Sequence, residues 1–334
     1  MTVVERLHAS GILRQGTPKR GFHYRRANRG RATAEDLERI EQLKIPPAWT
    51  EVAINSAPTG RIQAVGRDAA GRWQYLYHES YVRAQQRKKF QRLIAFGESL
   101  PKLRATVARD LRLPGLPKAR VMAAILRILS MSFMRPGSET YANEHGSYGI
   151  ATLRPRHVSV KGDCVRFEFV GKSGQNQSRE IHDKLVAATL KELLKYSNRR
   201  VFKYEGADGK FINVTRPTIN RYIKEVMGQN FSAKDFRTWA GTLVCACALA
   251  RNRPANPLNA GAIVAAIEET AAALGNTPAV SRDAYVCPAV ITAFEHGQVV
   301  RCYFQTLHKL TSYRGLKLHR AEKALLRLLK KSVA

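Results

Sequence analysis

An α+β chain is expected: a small β-rich N-terminal domain, residues 1–90, and a larger, mainly α-helical domain, residues 91–334, that carries one three-stranded antiparallel sheet. Three observations predict it. Short runs of alternating apolar and polar residues, separated by Pro- and Gly-containing turns, crowd into residues 52–78. Long apolar-periodic runs, several rich in alanine, dominate from Pro101 onward. Within that helical half, three strand-like runs between residues 157 and 182 are joined at Lys161-Gly162-Asp163 and Lys172-Ser173-Gly174. With 334 residues and 44% hydrophobic content, the chain can bury a large core in one or two domains.

In chain order, the first thirty residues are basic and contain Gly11, Gly16, Gly21 and Gly30. Gly21 to Arg31, with Phe22, His23 and Tyr24 among arginines, reads either as an extended arm or edge hairpin able to lie on phosphates, or as a solvated terminus. Thr33 with Asp36 three residues on signals a helix start; Leu37, Ile40 and Leu43 continue it, and Pro46-Pro47 stops it. Val52 to Asn55 and Arg61 to Arg67 alternate as strands about the turn Pro58-Thr59-Gly60. After the turn Asp68-Ala69-Ala70-Gly71, alternation over Arg72 to His78 puts Trp73, Tyr75 and Tyr77 on one face and Gln74, Leu76 and His78 on the other. That aromatic face is either sheet core or, with glutamine and arginine beside it, a ribbon that enters a DNA groove.

Tyr81 to about Gly97 reads as a strongly basic helix carrying Arg83, Arg87, Lys88, Lys89 and Arg92, with the domain boundary in or just after it. Ala119 to Phe133 is apolar nearly all round, hence a central core helix, broken by Pro136-Gly137 with Arg135 at its end. His157 to Val160, Val165 to Val170 and Ser178 to His182 form the antiparallel sheet, which puts Lys172 on a hairpin tip. Asp183 to Lys195, Thr215 to Met227, Ala233 to Ala250 and Asn259 to Leu274 read as helices, and Lys317 to Lys331 as a basic amphipathic one. A further short helix is expected to start near Tyr285.

Charge narrows the function classes. Lysine and arginine number 56 against 26 acidic residues, a net +30 with a pI near 10.4, and the neutralising partner this calls for is a nucleic-acid backbone. An anionic membrane surface is the competitor. No apolar run is long enough to span a bilayer and no apolar leader opens the chain, so a cytoplasmic protein without membrane association is expected. The five cysteines, Cys164, Cys245, Cys247, Cys287 and Cys302, read as reduced and buried. Cys245 and Cys247 stand two apart on a helix, facing apart, and no metal is expected.

Four residues stand out for chemistry: Arg135 in Phe133-Met134-Arg135-Pro136-Gly137, Lys172 in Gly171-Lys172-Ser173-Gly174, Arg237 in Lys234-Asp235-Phe236-Arg237-Thr238, and Tyr285 in Ser281-Arg282-Asp283-Ala284-Tyr285. A free phenol, with a pKa of about 10, is a poor nucleophile at neutral pH. Neighbouring guanidinium groups favour the phenolate and also neutralise the oxygens of a five-coordinate phosphorane. Arginine suits both tasks because it stays charged and offers phosphate a planar fork of donors. A lysine among cations can instead act as general acid toward a departing alkoxide.

Together with Tyr141, Ser147-Tyr148-Gly149, Thr152-Leu153 and Gly275-Asn276-Thr277-Pro278, these stretches resemble the successive signature boxes of the type IB DNA topoisomerases, in particular the poxvirus-like enzymes found in bacteria. Gly66-Arg67-Asp68, Gly71-Arg72 and Gln74-Tyr75-Leu76-Tyr77-His78 are similar to that family's DNA-contacting strand. The resemblance runs from about residue 20 to about residue 295. It implies a monomer clamping duplex DNA in the bacterial nucleoid, with a catalytic domain shared in outline with tyrosine recombinases. Tyr285 would form a 3′-phosphotyrosyl link and free a 5′-hydroxyl; Arg135 and Arg237 would hold the non-bridging oxygens and Lys172 protonate the leaving oxygen. Relaxation and religation would need neither ATP nor metal, in keeping with the lack of a phosphate-binding glycine loop or an acidic pair spaced for magnesium. Lys234, Arg67, Arg72, Gln74, Tyr75 and Tyr77 would contact DNA. Nine residues before Tyr285 the family usually has histidine and this chain has Asn276, which can donate to a phosphoryl oxygen but cannot titrate. Trp73 stands where a basic residue is common.

Two alternatives use some of the same residues. A tyrosine site-specific recombinase shares the Arg, Lys, Arg, Tyr order, but generally has histidine where this chain has Lys234, and an N-terminal helical clamp in place of strands. An architectural DNA-binding protein would keep the charge without the chemistry.

Overall fold

The computed structural model describes all residues except 29, 229–230, 253–259 and 334. The chain divides into two compact units, Met1–Lys89 and Phe90–Ala334.

The first unit opens with α1 (Val3–Ser10), whose Thr2 and Glu5 form a capping box. Five strands follow, β1 (Ile12–Thr17), β2 (Gly21–Arg26), β3 (Thr50–Ile54), β4 (Ile62–Arg67) and β5 (Trp73–Tyr77), with α2 (Ala34–Gln42) between β2 and β3. They pair antiparallel in the order β2-β1-β3-β4-β5. Alternation gives the sheet two buried faces: Ile12, Val52, Ile54 and Ala64 pack with Ile40 of α2, while Ala53, Ile62 and Val65 pack with Leu7 of α1. The basic arm is therefore a paired edge strand, because β1, unmarked in the sequence, supplies its partner along the full register from Ile12–Arg26 to Thr17–Gly21. Thr33 and Asp36 cap α2 as expected, and Arg26 adds an ion pair to Asp36 at 2.6 Å.

In the second unit the basic helix is far longer than its charge pattern suggested. It is α3 (Glu79–Asp110), which starts in the first unit and runs straight through Pro101. Leu93, Phe96, Leu100, Leu103 and Val107 recur at helical spacing on both sides of the proline, and all are buried. Burying several such side chains, at about 1.5–3 kcal/mol each, outweighs the roughly 3 kcal/mol cost of an internal proline. α4 (Lys118–Ser132) is the central apolar helix, with ten buried residues. It ends before Pro136-Gly137, because Phe133 itself takes the left-handed conformation (φ 54°) and closes the last turn onto Leu129.

α5 (Glu139–His145) leads to the sheet β6 (Val158–Lys161), β7 (Cys164–Val170) and β8 (Asn176–His182), antiparallel in that order. α6 (Lys184–Tyr196), capped by Asp183, precedes the short hairpin β9 (Lys203–Glu205) and β10 (Phe211–Asn213), too brief to show in the sequence pattern. α7 (Arg216–Met227), α8 (Ala233–Arg251), α9 (Ala260–Leu274), α10 (Pro278–Tyr285), α11 (Pro288–Glu295), α12 (Leu307–Thr311) and α13 (Arg320–Val333) complete the chain; the expected helix start at Asn259 lies outside the described residues. α8 is the buried axis of this unit, with every residue from Asp235 to Ala250 buried. Cys245, Cys247 and Cys287 are buried as expected, whereas Cys164 is half-buried and Cys302 exposed; all five are free thiols. No helix among the described residues is long and apolar enough to cross a membrane.

α3 meets α8 at Gly97, where a Cβ would lie 2.4 Å from the Trp239 ring. A rigid buried indole cannot step aside at little cost, so Gly97→Ala is expected to destabilise this unit by about 1–3 kcal/mol. Thermal melting should shift down by several degrees; an unchanged melting temperature would show that the ring yields.

Candidate active site

Arg237 lies in the second turn of α8, whose start is fixed by a capping box between Ser232 and Asp235 and by Arg92 of α3, 2.6 Å from the Asp235 carboxylate. It is only 2% exposed. Its guanidinium donates to the Phe133 carbonyl just past α4, to the Leu274 carbonyl at the end of α9 (3.0 Å) and to Asn276 Oδ1 (3.1 Å). Two helix C-termini thus turn their negative ends on one cation. Burial pushes Arg237 down to about 10, with Tyr285 opposing and Arg135 and Arg179 adding, so it stays charged at neutral pH.

The left-handed turn at Phe133 frees the chain from α4 and carries Arg135 alongside. Arg135 donates to the same Asn276 Oδ1 that Arg237 uses. With its oxygen held by two guanidinium groups, the Asn276 amide has one permitted orientation, since a flip would set NH2 against two donors. Its Nδ2 is buried without a hydrogen-bond partner.

Tyr285 is the last residue of α10, not near a helix start, because Thr277 caps the helix and Pro278 occupies its first turn. The Thr242 hydroxyl of α8 donates to the Tyr285 carbonyl (3.1 Å) and accepts from the Cys287 N–H (3.1 Å), fixing the turn after α10. The Arg237 guanidinium carbon sits 4.8 Å from the Tyr285 ring centroid. Burial alone would raise the phenol pKa; Arg237, by charge and hydrogen bonding, then Arg135 and Lys234, overcome it and leave the phenol below its ordinary value. Lys234, exposed at the start of α8, thus contributes to the field at Tyr285.

Lys172 is exposed at the β7–β8 tip, where Ser173 and Gly174 both have positive φ. The base of that hairpin is clipped: Tyr148 N–H donates to the Val170 carbonyl at 2.8 Å and the Ser147 hydroxyl to the Gly171 carbonyl at 3.1 Å. Arg135, Lys172, Arg237, Gln177 and Arg179 line one small cleft. Arg179, Thr242 and the Phe133 carbonyl escaped the sequence reading. For Arg179 a signal existed, since alternation in β8 sets it on the face of apolar Ile181.

In the first unit the expected DNA contacts fall into two groups. Tyr75 and Tyr77 are 39% and 42% exposed, and Tyr75, Tyr77 and Tyr81 stack successively at 6.3 and 5.2 Å, so the aromatic face of β5 is divided: its two tyrosines are surface, while half-buried Trp73 packs on the core beneath α1. Arg67, Arg72 and Gln74 are engaged within the protein. Arg67 pairs with Glu51 at 2.9 Å and lies 4.5 Å from the Trp73 ring centroid; Asp68 takes Arg72 at 3.0 Å and Gln74 at 2.8 Å. The Arg72 backbone N–H first, then the Arg72 and Gln74 side chains, hold the Asp68 carboxyl down at about 2.

Among the described residues, ligand atoms of Cys164, Glu180 and His182 lie within 4.8 Å of one another at the far end of the β7–β8 pair, where Arg166 and His182 already bond Glu180. Neither Tyr285 nor its cations belong to that group.

Residues 79–294 match the family model of the eukaryotic DNA topoisomerase I catalytic core, and residues 21–68 match that of the bacterial DNA topoisomerase IB N-terminal domain. The chain is 35% identical over 305 residues to DNA topoisomerase 1B of Acanthamoeba polyphaga mimivirus, covering 89% of this chain and 91% of that one. It belongs to the type IB DNA topoisomerases. DNA topoisomerase 1B of vaccinia virus (strain Copenhagen) is 23% identical over 264 residues, 76% of this chain and 80% of that one. Among solved structures, XerH site-specific recombinase bound to palindromic difH in a post-cleavage complex matches with 16% identity and a TM-score of 0.36, over 56% of this chain and 47% of that one. As a topoisomerase, the protein is an isomerase that acts on DNA.

The field at Tyr285 can be measured in this topoisomerase without DNA. Its phenol carbon, followed by NMR with labelled tyrosine, is expected to titrate below the ordinary value of about 10. Arg237→Ala removes the largest opposing influence and leaves burial in command, so the midpoint should move upward, past the ordinary value. An unmoved midpoint would show that Arg237 does not govern this phenol.

Proposed function

We propose that this topoisomerase cuts one strand of duplex DNA with Tyr285 as nucleophile and relaxes supercoils before resealing it. The phenolate oxygen bonds to the scissile phosphorus, the bond to the 5′-oxygen breaks, and Lys172 gives that oxygen a proton. Religation runs the same exchange backward, one phosphoester replacing another, so no outside energy source enters. Arg135 and Arg237 neutralise the non-bridging oxygens, and the Asn276 Nδ2–H adds a donor aimed by the two arginines.

The observation that carries this reading is the shared acceptor. One amide oxygen gathers two guanidinium groups beside a phenol whose pKa they lower, and leaves its own buried N–H without a partner. Buried donors that lack an acceptor are costly, and a phosphoryl oxygen would satisfy this one. The chain's +30 charge supports DNA as the partner, and exposed Tyr75 and Tyr77, with Lys234, are the DNA contacts best supported by their positions.

Tyr285→Phe keeps the ring packed and removes only the attacking oxygen. It should bind DNA normally and form no covalent adduct on denaturing gels; an adduct from this variant would refute the assignment. Lys172→Ala tests the proton donor separately. Its cleavage should be strongly slowed on ordinary DNA but largely restored when the scissile 5′-oxygen is replaced by sulfur, because a thiolate leaves near neutral pH without a proton. Equal impairment on both substrates would make Lys172 a positioning residue.

A further inference from the structure

Arg179 is a cation on the inward face of β8. Its neighbours across the ladder are apolar: Arg179 faces buried Phe167, and Gln177, two residues earlier on the same side, faces Phe169. A half-buried guanidinium in such a setting ordinarily brings a carboxylate with it, since an unpaired charge removed from water is costly. Among the described residues Arg179 has none. Its Nη2 donates to Gln177 Oε1 at 3.2 Å and its Nη1 weakly to the Ser178 carbonyl at 3.4 Å. Burial first, and then the like charge of Arg135, lower its pKa.

The pair is also tightly placed. A Cβ on Gly275, beside Asn276, would fall 2.7 Å from Arg179 Nη2 and 2.6 Å from Gln177 Oε1; one on Gly171, beside Lys172, would fall 2.8 Å from Gln177 Cγ. Gly275 has φ +61°, a second reason against a side chain there. Gln177 and Arg179 therefore stand between the segments that bear Lys172 and Asn276, and line the same cleft as Arg135, Lys172 and Arg237. A fixed cation that breaks the local rule of the strand, with donors to spare and no anion of its own, marks a place where an anion arrives from outside.

We propose that Arg179 is a further phosphate-binding residue of the cleavage site, gripping a backbone phosphate of the cut strand, at or beside the scissile position, with the N–H groups that Gln177 leaves free. The inference rests on the reading of this cleft as the place where DNA is cut. Gln177 orients the fork, and the fork adds to Arg135 and Arg237 a third guanidinium suited to phosphate geometry.

The test pairs a side-chain change with a backbone change. A duplex is used whose cleavage position has been mapped with the wild-type protein, and single phosphates around it are replaced in turn by neutral methylphosphonates. Arg179→Ala should cleave the ordinary duplex roughly 10- to 100-fold more slowly, the range of a hydrogen bond to a charged group. With one methylphosphonate position, variant and wild type should converge on the same rate, because the contact is already gone. Arg179→Lys should recover part of the loss. Should Arg179→Ala melt early, Arg179→Gln keeps length without charge and carries the same comparison. Full cleavage by the uncharged variants, or a slowing that multiplies unchanged with every methylphosphonate, would overturn the proposal. Absence of any adduct from the wild-type protein would instead sink the nucleophile assignment, and this inference with it.

Discussion

The buried guanidinium of Arg237 is the interaction on which the catalytic unit depends. From the second turn of α8 it ties together the end of α4 through the Phe133 carbonyl, the end of α9 through Leu274, and the following loop through Asn276. A charge this deep would be expelled or neutralised in an ordinary core. Here it is tolerated because helix C-termini supply carbonyls and the favourable end of their dipoles, neither of which competes for a phosphate as a carboxylate would. The same arrangement brings the cation against the Tyr285 ring, so what assembles the helices also lowers the phenol's pKa.

Arg237 could not serve this way without the left-handed residue at Phe133. That turn ends α4 and exposes a carbonyl for Arg237 while letting Arg135 approach Asn276. Thr242, one turn further along α8, holds the Tyr285 carbonyl, so α8 governs both the cation and the backbone of the phenol it acts on. The proposed proton donor, Lys172, stands apart from this buried cluster, exposed on a hairpin tip whose base is clipped to residues 147 and 148.

Much of this was legible in the sequence because it depends on order and local pattern. The Thr33 and Asp36 capping box, the β6–β8 alternation and the Arg135, Lys172, Arg237, Tyr285 series need only neighbours in the chain to be recognised. What escaped depends on partners far away in sequence. The basic helix read as ending at about Gly97, whereas the buried face of α3 continues through Pro101 to Asp110. Phe133, and not Pro136-Gly137, ends α4, because a distant guanidinium rewards the carbonyl it presents. Trp73, Tyr75 and Tyr77 alternate like a core face, yet the sheet is already covered by α1 and α2 at its centre, and Tyr75 and Tyr77 on its edge strand stay exposed. For Arg67, Arg72 and Gln74, expected as DNA contacts, the partners that hold them in the DNA-free protein, Glu51 and Asp68, were not read from the sequence.

Asn276 shows why a departure from the usual histidine need not be a loss. Its carbonyl oxygen has two lone pairs and takes one donor from Arg135 and one from Arg237. A neutral imidazole has one acceptor nitrogen and a protonated one has none, so a histidine here could not hold both arginines, and once charged it would repel them. The amide surrenders titration and gains a fixed donor, with the orientation of Nδ2 dictated by the two cations on the oxygen. In the proposed reaction the changes of charge are thereby left to Tyr285 and to the group that donates the leaving-group proton. The proposed chemistry suits a site crowded with permanent cations, because none of its orienting groups would change charge while the phenol and the leaving oxygen do.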